Sequence, residues 1–182
     1  MGRRRSAVRS ALTAAVGGAL ILGASLGAVA ADDPKSLGTY DYWTAFAYSE
    51  AGVKICYAAS EPIKAEGKYT KRGLAFALVT HDTKEKSFDV VSFVAGYAYK
   101  KDSTVLVNIG GKKFRLFTQD DRAWTPDAAM DKALVKAMKR GSRLVVVGTS
   151  SRGTRTNDTY SLIGFTKAYQ KISADCGANK KK

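Results

Sequence analysis

His81 is the one histidine in a chain of 182 residues, so any imidazole chemistry must pass through it. Beside Asp82, it could act as general base for a serine or threonine nucleophile. The chain has no G-x-S-x-G elbow to present such a serine. A triad is recognised by the mutual geometry of three groups, which a lone residue type does not establish. Its setting ahead of Lys84, Glu85 and Lys86 instead predicts an exposed loop histidine. Metal chemistry is no better supported: one His, two Cys and scattered carboxylates give no zinc-ligand spacing. Gln119-Asp120-Asp121 lacks the spaced ligands of a calcium loop and predicts a solvated turn. Gly110-Gly111 precedes Lys112-Lys113 but has neither the P-loop nor the dinucleotide-binding spacing. Asp89 lies within SFDVVSFVA, where alternation puts it on the solvent face of a strand. A pair of carboxylates joined by the fold is the one hydrolytic arrangement the sequence leaves open. No cofactor and no metal are expected.

The basic residues point to binding instead. The chain carries 30 Lys and Arg against 16 Asp and Glu, a formal charge of +14. The cations cluster at Lys100-Lys101, at Lys112-Lys113-Arg115, at Lys139-Arg140-Arg143, at Arg152 with Arg155, and at Lys180 to Lys182. Such a charge favours anionic partners, and a plain solvated surface that keeps the protein in solution is the alternative. Lys112, Lys113, Arg115, Arg152 and Arg155 are the expected binding surface. The expected partner is an anionic envelope lipid or polysaccharide, or an envelope or host protein. Aromatic residues near the cations (Tyr97, Tyr99, Phe117) could also stack on single-stranded nucleic acid. No nucleic-acid motif accompanies them, and export would remove the chain from that target, so nucleic acid is not expected.

Export is read from residues 1–30. Arg3, Arg4, Arg5 and Arg9 precede an uncharged run from Ala11 to about Leu26, which ends in Ala28-Val29-Ala30. A basic start, an apolar middle and small residues at the exit form a secretory signal peptide. The expected address is the periplasm, with the cell surface or the medium as alternatives. No later stretch is long and apolar enough to span a bilayer. Residues 31–182 then form a single domain of ordinary size. Its two cysteines, Cys56 and Cys176, read first as a disulfide in an oxidising compartment; two buried free thiols are the alternative.

The elements that must position these groups are mostly strands. Period-two patterns fall at Tyr40–Ser49, Val53–Ala59, Leu74–Thr80, Ser87–Ala95, Thr104–Ile109, Lys112–Thr118, Arg143–Thr149 and Thr156–Ile163. Gly110-Gly111 and Ser151-Arg152-Gly153 predict hairpin turns. A helix follows Thr125, the expected cap, with Met130, Leu134, Ala137 and Met138 on one face. Phe165–Ile172 predicts a short closing helix. Residues 31–39 and the segment through Pro62, Gly67 and Lys71-Arg72 read as polar loops. The fold class is mainly β, an immunoglobulin-like β-sandwich or partly open barrel with one or two short helices.

Three stretches, IGGKKFRLFT, RGSRLVVVGTSSRGT and DTYSLIGFTKA, together with WTAFAYSEAGVKICYAASEP nearer the start, resemble the invasion-associated locus B family of small exported proteins. The likeness covers nearly all of the chain after the leader. It implies a β-sandwich, a periplasmic or surface location, and no catalytic constellation. Unlike the family's more cysteine-rich members, this chain keeps one early and one late cysteine. The favoured reading is therefore a non-enzymatic binding protein. The alternative is a carboxylate-dependent hydrolase acting on cell-wall material.

Overall fold

The alternation of small or apolar residues with polar ones gives each long strand one buried face, and those faces line a common interior. The computed structural model describes residues 33–178. Residues 1–30, where a signal peptide is expected, and Lys180 to Lys182 lie outside the described residues. The strands are β1 (Lys35–Tyr40), β2 (Trp43–Glu50), β3 (Val53–Ser60), β4 (Lys64–Gly67), β5 (Phe76–Asp82), β6 (Ser87–Val94), β7 (Thr104–Ile109), β8 (Lys112–Gln119), β9 (Arg122–Trp124), β10 (Arg143–Thr149) and β11 (Arg155–Ser161). Helix α1 (Ala128–Arg140) precedes β10, and α2 (Phe165–Asp175) follows β11.

The mainly β expectation holds. The strands form one continuous sheet in the order β1-β2-β3-β5-β6-β9-β8-β7-β10-β11-β4, and β1 and β4 are left as edges. Every pairing is antiparallel. The sheet curls until its inner surfaces oppose one another. Phe93 of β6 thus lies 6.2 Å from Tyr160 of β11, although four strands separate them in the order. Near its two ends, Trp43 Nε1 donates to the Ser161 carbonyl at 2.9 Å. The ends approach without forming a ladder, so the sheet is curled but not closed.

Both helices lie on the concave side. α2 buries Phe165, Ala168, Ile172 and Ser173, and Phe165 meets Trp43 edge-on at 4.8 Å. Cys56 of β3 is bonded to Cys176, just beyond α2, which fastens this helix to the sheet. α1 buries Leu134, Val135 and Met138. Asp127, not Thr125, caps α1 by accepting from the Met130 N–H. Thr125 instead donates to buried Asp131, whose carboxylate also accepts the Val91 N–H at 2.8 Å. β1 and β4 depart from the polar loops expected there, and β9 is a short strand with no counterpart among the expected elements. β4 is exposed at all four residues and β9 is only three residues long, so neither shows an alternating apolar face. Among the described residues, no helix is long and apolar enough to cross a membrane.

Candidate functional site: a cation-lined pocket at one end of the curled sheet

Three connections meet at one end of the sheet and enclose a cavity of about 620 Å³. They are residues 68–73 between β4 and β5, 96–98 after β6, and 150–154 in the β10–β11 hairpin. Backbone bonds hold them together. Gly73 N–H donates to the Gly96 carbonyl at 2.9 Å, and Ser151 N–H to the Ala98 carbonyl at 2.8 Å. The first contact requires glycine. Gly96 has φ +71°, and a Cβ there would lie 2.3 Å from the Gly73 oxygen. In the hairpin turn, Ser150 Oγ accepts the Thr154 N–H at 3.1 Å.

Arg72 forms the floor. Its guanidinium donates twice to Asp158 of β11, both at 2.6 Å, and its Nε donates to the Ala95 carbonyl at 2.7 Å. Both side chains are only 5% exposed. The guanidinium lies against the rings of Tyr97, at 5.0 Å, and Tyr69, at 5.6 Å. Burial opposes its charge, but the hydrogen bonds and charge of Asp158 outweigh burial and raise its pKa further. The Tyr97 hydroxyl bonds Thr156 Oγ1 at 2.6 Å. Burial raises its pKa, so the phenol stays neutral. Behind it, Gly148 leaves room for the aromatic pair, since a Cβ there would lie 2.6 Å from the Tyr99 ring and 3.0 Å from the Tyr97 oxygen.

The rim carries Lys68, Lys71 and Arg152, all exposed. No carboxylate is among the lining residues. Asp158 balances Arg72 underneath, and among the described residues no carboxylate is paired with Lys68, Lys71 or Arg152, so these three cations can act on whatever enters. Such a concave wall of one sign attracts and concentrates anions.

The five expected basic residues are divided by the sheet. Arg152 lines the pocket. Lys113 and Arg115 alternate with the buried Phe114 and Leu116, and Arg155 precedes buried Thr156, so these three lie on the outer face. Lys112 sits over the Phe114 ring at 5.0 Å. The β7–β10 register pairs Asn108 with Val145, which places the Gly110-Gly111 turn toward the Arg143 end of β10. Arg152 lies beyond the Thr149 end, so the two hairpin turns do not meet. Lys68, Lys71 and Arg72 were read only as part of a polar loop. The signal that could have found Arg72 is Asp158, a carboxylate at an inward position of β11 that needs a cation.

His81 corrects the expectation of an exposed loop residue: it is 0% exposed. Nδ1 accepts the Asp89 N–H at 3.0 Å, which leaves Nε2–H to donate to Ser173 Oγ at 3.0 Å. Asp89 stands at φ +67°, beside a register shift in the β5–β6 ladder, and its carboxylate accepts the Tyr169 hydroxyl at 2.6 Å. Ser173 is also fully buried, so this His–Ser pair packs α2 onto β5 with no opening for a substrate. The inward carboxylates are likewise engaged: Asp89 with Tyr169, Asp131 with Thr125 and Asp158 with Arg72. Among the described residues, no cluster of three or more His, Cys, Asp or Glu is placed to hold a metal.

Burial holds the His81 pKa below its ordinary 6.5, with Asp89 opposing and Lys139 adding to the effect. The unfolded chain therefore takes up a proton near pH 6.5 that the folded chain refuses. Stability should be unaffected by His81 above that pH and fall as pH drops below it. Thermal unfolding from pH 7.5 to 5 should show this loss in the parent and a smaller loss in His81→Gln; equal losses would exclude His81 as the cause.

The family model for invasion-associated locus B proteins matches residues 43–173, from the start of β2 to Ser173 in α2. That span includes all three connections around the pocket. No curated protein and no solved structure matches the chain. On the extent of that match, the chain belongs to the invasion-associated locus B family, an envelope-associated family that is not a known enzyme family.

Proposed function

We propose that this protein is an exported, non-enzymatic binding module of the cell envelope. It works in the periplasm or at the cell surface and captures an anionic envelope component in the pocket above Arg72. One observation carries this reading: Lys68, Lys71 and Arg152 converge on a concave site whose lining has no carboxylate. The signal-peptide pattern of residues 1–30 supports the location, and the family supports the absence of an enzymatic role.

The test compares two triple variants of the mature protein in capture of vesicles containing anionic lipid and of immobilised acidic polysaccharide. Lys68→Glu/Lys71→Glu/Arg152→Glu should weaken capture by about 100-fold, taking ~1 kcal/mol for each cation. The effect should shrink as salt screens the rim charges. Lys112→Glu/Lys113→Glu/Arg115→Glu, away from the pocket, should change capture much less. The reverse ranking would move binding to the outer face of β8.

A further inference from the structure

We infer that the ligand of this pocket is a phosphorylated sugar, with its phosphate held by Lys68, Lys71 and Arg152 and its ring laid against Tyr69. This rests on the binding reading above and narrows it to one ligand class. Charge is the first argument. Three rim cations stand above an Arg72 already neutralised by Asp158. A single carboxylate would leave that excess largely unmatched, whereas a phosphate brings up to two charges and several acceptor oxygens. The mixture of two lysines and one arginine suits it: point charges that can follow the group, and one planar fork.

Size and lining supply the second argument. A cavity of about 620 Å³ is far larger than an inorganic phosphate needs and falls within the ~300–1,000 Å³ usual for small organic ligands. Tyr69 and Tyr97 are the aromatic side chains of its lining and Ala98 its one alkyl side chain, so it offers no apolar channel for an acyl chain. Tyr69 remains 38% exposed. Its hydroxyl is tied to the Ala65 carbonyl at 3.1 Å and its ring is steadied by Arg72, giving a fixed flat surface. Thr70 and Ser151 add exposed hydroxyls beside it. A rigid aromatic face, hydroxyls and a cation cluster together match a ring bearing hydroxyls and a phosphate.

The same chemistry occurs in a soluble sugar phosphate and in the headgroup of a phosphorylated glycolipid, so the test has arms for both. Calorimetry would compare glucose 1-phosphate, glucuronate and inorganic phosphate on the mature protein. Sedimentation would use phosphatidylcholine vesicles with and without a phosphorylated glycolipid. Saturable binding of the sugar phosphate or of the glycolipid vesicles is expected, about tenfold or more tighter than glucuronate and inorganic phosphate. Whichever arm binds identifies the source. Tyr69→Ala should weaken the sugar phosphate about tenfold and leave inorganic phosphate unchanged, while Tyr69→Phe, which keeps the ring and loses only the tie to Ala65, should weaken the sugar phosphate less than Tyr69→Ala does. Glucuronate binding as tightly would overturn the phosphate assignment and leave the anion-binding reading standing. An unchanged Tyr69→Ala, with its fold checked by thermal unfolding, would overturn the ring placement. Failure of every anion would overturn both readings.

Discussion

Replacing Asp158 with alanine is expected to lower the unfolding free energy by about 3–5 kcal/mol, because it strands a buried guanidinium without its counter-charge. The Arg72 side chain is 5% exposed and commits three N–H groups, two of them to this carboxylate. The loop that carries it crosses from edge strand β4 to β5, and few apolar side chains hold it there. Unpairing Arg72 should therefore loosen residues 68–73 and remove the pocket floor along with the stability. The double variant Arg72→Met/Asp158→Leu removes both charges and should lose less than the sum of the single variants, since each single variant leaves an unpaired partner. The surface pair Lys64–Glu66, at 2.8 Å, is the control; its removal should change stability by about 1 kcal/mol or less. Urea unfolding would measure each of these variants. Loss of less than 1 kcal/mol in Asp158→Ala would mean that Arg72 swings out to solvent and the floor is not built on the ion pair.

The legible part of this fold was the part with period-two burial. Trp43, Ala45 and Ala47 alternate with half-buried or exposed neighbours, and that pattern survives directly as the inner face of β2. The Gly110-Gly111 turn and the apolar stripe of α1 were legible for the same local reasons. The edges were not. Lys64–Gly67 becomes a strand only because β11 offers it a ladder, a long-range fact with no local signature. His81 misled because its sequence neighbours are charged. The β5 register places it opposite Cys56, under Ser173 of α2, and only tertiary pairing sets that depth. The pocket was illegible for a related reason. Lys68 and Lys71 lie about 80 positions before Arg152 in the chain, and the three meet because β4 pairs with β11 and the hairpin turn closes beside it. What the sequence did hold was an unexplained inward Asp158 in TNDTYSLI, half of the ion pair that anchors the site.

The disulfide gives a large effect that should spare the site. Cys56 and Cys176 are 120 positions apart, and closing so long a loop restricts the unfolded chain strongly. Cys56→Ala/Cys176→Ala should lower the unfolding free energy by about 5 kcal/mol in the chain-entropy account, against a total of ~5–15 kcal/mol for a domain. The bridge lies at the His81 end of β5, whereas the pocket lies at the Phe76 end. Five residues of extended strand separate those ends by ~16 Å. At temperatures where the double variant remains folded, capture of the anionic ligand should match the parent. Hydrogen exchange should quicken first in α2, whose buried face loses its covalent tie to β3. A variant as stable as the parent would mean that Trp43, Phe165 and Ile172 hold α2 without help. A variant that unfolds at the same denaturant yet loses capture would be stranger: it would couple the helix to the far end of the sheet and make the two ends one cooperative unit.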